Sequence, residues 1–405
     1  MYDDFAAAMR QAALLTRTGE VTQATQLIRD TLAGRATSGF AGARPPEVPL
    51  PAPQQPQLAL IDRDAESREP SDQAAPAASQ RLRKPLGQVL QALRGARVWP
   101  VKPGARARHI RAPAFPPLPE GAQFLARSFA CAAGSRGYKL YVPASAHGQP
   151  RGLIVMLHGC KQNPDDFAVG TNMNAVAETH GLLVAYPAQT GAANASACWN
   201  WFSPADQKRD AGEPAIIAGL TRDLIAEFAL SRARIFVAGL SAGGAMAAIM
   251  GEAYPDLYCA IGIHSGLATG LASDVMTAFA AMRGDAGLAS GQPRDSTALR
   301  TIVFHGSADT MVHPANASRI VAAASVQPGQ AQTRHDGTAA GRSFERSVSC
   351  ARDGTPMLES WLIKGAGHAW SGGQAGGSYT DRKGPDASAQ MVRFFLEGPQ
   401  AGGPT

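Results

Sequence analysis

From about residue 121 onward, short apolar runs alternate with segments of helical period. No other feature of the sequence constrains the fold as strongly. A strand that is apolar at every position has no face to give to water, so it must be covered on both sides. Helices returning between parallel strands supply that cover. The near-continuous runs at 152–157, 182–186, 234–238 and 258–264 are of this kind, apart from Arg234 and His264 at their ends. Further strands are expected at 301–304 and 359–363. The first two, 124–131 and 138–142, alternate apolar and polar residues instead, as in a half-exposed antiparallel hairpin. Helices are expected at roughly 165–179, 213–229, 242–253, 274–282, 315–324 and 386–397. The expected architecture is α/β, a mainly parallel central sheet with helices on both faces.

The preceding part of the chain has a different texture. Phe5, Met9, Ala12 and Leu15 mark one short apolar stripe, and Val21, Ala24, Leu27, Ile28 and Leu32 another. Thr18-Gly19 separates them and Gly34 follows, so 1–34 reads as a helical hairpin that packs on its own body or on another copy, or docks a protein partner. Residues 41–120 hold 15 of the 29 prolines. Such a segment buries too little to offset its ordering entropy, and 35–120 reads as a disordered linker. Within it, Leu86, Val89, Leu90 and Leu93 would share one helix face. The catalytic body is expected at 121–398, with a short tail at 399–405.

Charge separates along the same lines. The formal net charge of the 405-residue chain is +6. Residues 81–111 carry nine basic side chains and no acid, whereas 112–405 balance at 22 basic and 22 acidic. The positive excess therefore belongs to one short stretch, which suits an anionic surface or granule. A solvated basic linker is the plainer reading. Neither a nucleic-acid module nor interleaved aromatics accompany it, so no specific nucleic-acid partner is expected. The N-terminal residues lack a basic start followed by a long apolar stretch. No secretory leader is expected, and a cytoplasmic location is favoured.

The chemistry sits in the C-terminal body. Gly239-Leu-Ser241-Ala-Gly243 follows an apolar strand and precedes an Ala/Met-rich segment, the strand–elbow–helix context in which G-x-S-x-G presents a nucleophilic serine. A serine hydroxyl needs a base held by an acid. His368 and Asp309 each follow a buried strand, at the same sheet edge as the elbow and in the order Ser, Asp, His. Asp381 and Asp386 are alternative acids. His335 is read as lying in a polar loop, and His158 as bracing the turn it precedes. The amides of Cys160 and Ala242 are the expected oxyanion donors.

Residues 124–397 resemble the polyhydroxybutyrate depolymerase-type esterases of the α/β-hydrolase superfamily, which also include feruloyl and acetylxylan esterases. The matching segments are His158-Gly-Cys-Lys-Gln162-Asn163, Cys198-Trp-Asn-Trp201-Phe202, Gly239-Leu-Ser-Ala-Gly243-Gly, His264-Ser-Gly266, His305-Gly-Ser-Ala-Asp309-Thr-Met-Val312 and Gly367-His-Ala-Trp-Ser-Gly-Gly373. The resemblance implies the α/β-hydrolase fold and Ser241, Asp309 and His368 as a triad. It implies Cys160 and Ala242 as oxyanion donors, with Gln162, Trp199 and Trp201 lining the substrate site. Trp201 reads equally as core. The implied substrate is a neutral ester, either a hydroxyalkanoate polyester or oligomer or a smaller ester, and no metal or organic cofactor is called for. A feruloyl- or acetylxylan-type esterase is the alternative within the family. A binding protein acting through 81–111 is the alternative outside it. Cys160 and Cys198 fall on loops at the active edge, where a disulfide would brace the oxyanion loop. Reduced, buried thiols are the other reading.

Overall fold

The computed structural model describes residues 117–285, 299–324 and 332–397, together with Gln23. The expected N-terminal hairpin, the basic stretch at 81–111 with its apolar face at 86–94, and the tail at 399–405 lie outside the described residues, Gln23 apart.

The body is a ten-stranded sheet. In chain order its strands are β1 (Gln123–Cys131), β2 (Gly134–Val142), β3 (Leu153–Leu157), β4 (Leu183–Pro187), β5 (Ile235–Leu240), β6 (Ala260–His264), β7 (Arg300–Gly306), β8 (Gln332–Ala339), β9 (Arg342–Cys350) and β10 (Pro356–Ile363). Their order across the sheet is β1-β2-β4-β3-β5-β6-β7-β10-β9-β8. The six from β4 to β10 pair in parallel. An antiparallel hairpin closes each edge, β1–β2 on one side and β8–β9 on the other.

The near-continuous apolar runs fulfil their physical requirement. Along β3, Leu153, Val155 and Leu157 face one core while Ile154 and Met156 face the other. Along β5, Ile235 and Val237 are set against Phe236, Ala238 and Leu240 in the same way. This is the period of two that a strand imposes on its side chains. Helices α3 (Gly212–Glu227), α4 (Ala242–Ala253), α5 (Val275–Arg283) and α6 (Ala315–Ala324) cover the first face. Helices α1 (Pro164–Thr171), α2 (Met173–His180) and α7 (Ala387–Leu396) cover the second. Among the described residues no helix is long and apolar enough to cross a membrane.

Two local expectations are corrected. The helix expected at 165–179 is two helices, because Asn172 takes a left-handed φ of 54° and ends α1. Asparagine tolerates that region better than most residues. His335 lies within a strand and not in a loop: β8 is polar and almost wholly exposed, so its sequence carries no apolar alternation. A small two-stranded sheet, β11 (Trp370–Ser371) with β12 (Thr380–Asp381), lies beyond β10.

Candidate active site

Strands β3, β5, β6, β7 and β10 are neighbours in the sheet and point the same way, so the loops leaving their C-terminal ends meet along one edge. Ser241 is the residue between β5 and α4. Its φ of 59° and ψ of −119° lie where a side chain rarely goes, and such a residue costs about 1–3 kcal/mol unless its surroundings over-determine it. They do. The Ser241 N–H donates to the His264 carbonyl at 2.9 Å. The two glycines of the elbow allow the approach. A Cβ on Gly243 would stand 1.9 Å from the Leu157 carbonyl oxygen, and one on Gly239 would stand 2.3 Å from that of Gly243. Ser241 itself is partly exposed, at the N-terminus of α4. The N–H of Ala242 is among the first-turn donors that a helix leaves without an internal partner.

The loop after β3 is held on all sides. Gly159 is the residue most free to rotate, yet both of its peptide groups are pinned. Its N–H donates to Gln162 Oε1 at 2.9 Å, and its carbonyl oxygen accepts from His158 Nδ1 at 2.8 Å. A planar trans peptide aims its N–H opposite to its C=O, so the His158 bond also fixes the direction of the Cys160 N–H. His158 Nε2 accepts the Gln189 N–H at 3.1 Å. The ring is therefore neutral with its proton on Nδ1, and burial pushes its pKa down. Cys160 is joined to Cys198 by a disulfide, which ties the loop after β3 to the 189–200 loop. Cys131, Cys259 and Cys350 are free thiols. The 189–200 loop hangs on buried Glu213, which accepts from the backbone N–H of Asn200 at 2.7 Å, from Asn200 Nδ2 at 2.9 Å and from Gln189 Nε2. Burial raises the Glu213 carboxyl pKa despite these donors.

His368 and Asp309 are in contact. His368 Nδ1 lies 2.7 Å from Asp309 Oδ2. The other carboxylate oxygen, Oδ1, accepts the N–H groups of Met311 and Val312, each at 2.9 Å. Burial alone would raise this carboxyl. The hydrogen bond from His368, its charge and the Val312 N–H more than offset that, and hold the pKa below the ordinary value. An ionised carboxylate only accepts, so the proton in this contact is on His368 Nδ1, and Nε2 is the ring nitrogen that Asp309 leaves unengaged. Asp381 is paired with Arg342 at 2.7 Å, and Asp386 caps α7 through the Ala389 N–H. Neither sits on His368. His305 is buried and its Nε2 lies 2.8 Å from the Val312 carbonyl, which fixes the turn that carries Asp309. The Tyr379 ring stands edge-on to His368, with centroids 6.3 Å apart. No sequence signal marks Tyr379.

Three residues expected to line the substrate site are placed otherwise. Trp199 is fully buried and its ring lies against His158, 5.7 Å between centroids. Trp201 is 5% exposed and packs edge-on to Phe202. Gln162 is 4% exposed, and its amide is used entirely within the protein. Both indoles are packed into the interior, and the Gln162 amide is hydrogen-bonded to Gly159, Asp166 and Ser378, so the three stand behind the loop after β3. Among the described residues no group of three or more His, Cys, Asp or Glu side chains is placed to hold a metal ion.

The family model described as "Esterase PHB depolymerase" matches residues 136–345. The chain belongs to the PHB depolymerase esterase family. Poly(3-hydroxyalkanoate) depolymerase C of Paucimonas lemoignei is 30% identical over 226 residues, covering 53% of this chain and 54% of that protein. Probable acetylxylan esterase A of Aspergillus clavatus is 28% identical over 196 residues, covering 44% of this chain and 62% of that protein. The chain thus spans little more than half the length of these relatives. The solved acetyl xylan esterase from Aspergillus awamori superimposes with a TM-score of 0.52 at 19% identity, over 68% of this chain and 99% of that one. It shares the α/β-hydrolase fold with this PHB depolymerase family member.

Proposed function

We propose that this protein is a serine esterase that hydrolyses carboxylic esters through an acyl-enzyme on Ser241. The observation that carries the reading is the 2.7 Å bond between His368 Nδ1 and Asp309 Oδ2. It leaves Nε2 of a correctly oriented imidazole as the base on the edge where the strained serine stands.

In the first step Ser241 Oγ attacks the ester carbonyl carbon and its proton passes to His368 Nε2. Charge develops on the carbonyl oxygen, toward the N–H groups of Cys160 and Ala242. Because the loop is pinned before substrate arrives, no reorganisation is needed at the moment of reaction. The tetrahedral adduct collapses, the C–O bond to the alcohol breaks, and the alkoxide takes the proton from Nε2. Water then attacks the acyl-enzyme, gives its proton to Nε2, and the second adduct releases the acid and restores the serine hydroxyl. Asp309 stays ionised throughout and steadies the imidazolium that forms twice per cycle.

For the substrate, the reading favoured is a neutral hydroxyalkanoate polyester, its oligomers or related small esters, by analogy with the polyhydroxyalkanoate depolymerase relative. A neutral body offers no long-range attraction to a polyanion, which accords with an uncharged ester. The acetylxylan relative supports the second reading, an acetyl- or feruloyl-type esterase. A panel of p-nitrophenyl esters of rising acyl length, 3-hydroxybutyrate oligomers, acetylated xylan and methyl ferulate separates the two. A higher kcat/KM on the oligomers supports the first reading, and a higher value on the xylan or ferulate ester replaces it with the second. The basic stretch at 81–111 is assigned to holding the enzyme on an anionic surface or polyester granule, outside the chemistry.

A further inference from the structure

Gln162 stands where three segments converge. Its Oε1 accepts the Gly159 N–H at 2.9 Å. Its Nε2 donates to Asp166 Oδ2 and to the Ser378 carbonyl, both at 3.0 Å. Ser378 closes the ring. Its N–H donates to Asp166 Oδ1 at 2.8 Å, and its hydroxyl donates to Asp166 Oδ2 at 2.5 Å. Both carboxylate oxygens of Asp166 are therefore engaged, one from the oxyanion loop side and both from the loop that follows His368.

The backbones are laid together as well. A Cβ on Gly377 would stand 2.3 Å from the Gly170 Cα, and the Gln374 N–H donates to the Gly170 carbonyl at 2.8 Å. The segment 374–378 thus rests directly on α1, which begins two residues after Gln162. Ser378 is followed by Tyr379, whose ring stands beside His368. Gly159 has no side chain to limit its φ and ψ, so without partners the Cys160 N–H would swing with it. Gln162 Oε1 removes that freedom from one side and His158 from the other.

From this geometry we propose that Gln162, acting through Asp166 and Ser378, is a positioning residue that locks the oxyanion peptide to the loop bearing the catalytic base and makes no contact with substrate. The proposal rests on the reading of Cys160 as an oxyanion donor. Its consequence is specific. Loosening the lock weakens binding of the transition-state oxyanion and leaves ground-state binding alone.

The test uses the full chain with Gln162→Ala, Ser378→Ala and the double variant, on p-nitrophenyl esters of several chain lengths, with thermal unfolding and circular dichroism alongside. Gln162→Ala is expected to lower kcat by about 10- to 100-fold, the scale of an ångström-level misplacement. KM stays within about twofold and the chain-length ranking is unchanged, since a lost positioning bond acts on the transition state. Ser378→Ala removes one hydroxyl and keeps the backbone bonds, so it folds and lowers kcat a few-fold. The double variant is expected to match Gln162→Ala alone, because both act through one carboxylate. A tenfold rise in KM, or a changed chain-length ranking with kcat retained, overturns the proposal in favour of substrate contact. Additive losses overturn the shared lock. Ser241→Ala separates the two levels. If it is inactive while Gln162→Ala keeps the parent kcat, only the lock falls. If Ser241→Ala still hydrolyses ester, the catalytic reading falls and the lock with it.

Discussion

Lowering the pH below 6.5 should destabilise this fold through a residue that takes no part in the reaction. His264 ends β6, is fully buried, and accepts the Ser241 N–H on its backbone carbonyl. Its Nε2 accepts the Ser371 N–H at 3.0 Å, and its Nδ1 lies 3.3 Å from Ser265 Oγ. Its ring stacks on Phe304 and Trp370, with centroids 5.8 and 5.1 Å away. The titratable groups that face it are His305, His368 and Asp309. Burial first, then the two histidines, push its pKa from 6.5 down to about 3. A folded pKa below the unfolded one means that the unfolded chain binds the extra proton between the two values. Stability is therefore full above pH 6.5 and falls as the pH drops toward 3. Over the whole window the loss is about 5 kcal/mol, at ~1.4 kcal/mol per pH unit. Between pH 6.5 and 5, before most carboxylates titrate, it is already about 2 kcal/mol. The assay is urea unfolding at pH 7, 6, 5.5 and 5 for the parent and for His264→Gln, which keeps an acceptor within reach of Ser371 and cannot be protonated. The variant loses ring stacking and is weaker at pH 7, so only the change with pH is compared. Parent stability is expected to fall more steeply by about 1.4 kcal/mol per unit. Equal pH slopes would show that His264 does not titrate as its burial requires.

Three further outcomes follow from the same geometry. Asp309→Asn places a donor against His368 and selects the wrong tautomer, so kcat should fall by about four orders of magnitude with little change in KM. Stopped or steady-state kinetics on a soluble ester read this directly, and a loss below tenfold would contradict the assigned acid. Unreduced, unfolded protein should show three alkylatable thiols, Cys131, Cys259 and Cys350, and five after reduction. Reduction should cost up to about 4 kcal/mol for a closed loop of 38 residues, seen as a lower unfolding temperature. Five thiols before reduction would show that Cys160 and Cys198 are not bonded. Deleting 81–111 should leave kcat on a soluble ester unchanged and abolish salt-sensitive co-sedimentation with anionic vesicles. Unaltered sedimentation would leave the basic stretch without that role.

The parts of the fold with two buried faces were legible because burial forces a simple pattern. An apolar run as short as Leu153–Leu157, rich in branched side chains, fits an interior strand better than a helix, and the glycines around Ser241 are needed at an elbow and few other places. The β8–β9 hairpin left no such trace, since an exposed edge strand is under no pressure to alternate. Within the site, His368 and Asp309 could be read from their positions after buried strands. Asp381 and Asp386 could be set aside only by where their partners stand, Arg342 for one and a helix N-terminus for the other. The burial of Gln162 and Trp199 is hidden in the sequence for a related reason. A polar amide and an indole next to the Gly159 turn look like substrate contacts, and only three dimensions show the amide bonded within the protein and the indole fully buried. Asp166 and Ser378 are 212 residues apart in sequence, so their pairing is visible only in three dimensions.

If Ser241 forms a covalent acyl intermediate, rapid quenching should trap it. The protein is mixed with excess p-nitrophenyl ester, quenched with acid within the first turnover, digested and mapped by mass spectrometry. The acyl mass is expected on the peptide that contains Ser241, with a burst of nitrophenol matching the enzyme concentration and neither signal in Ser241→Ala. Hydrolysis by Ser241→Ala at the parent rate, or an acyl group carried on another residue, would contradict an acyl-enzyme on Ser241.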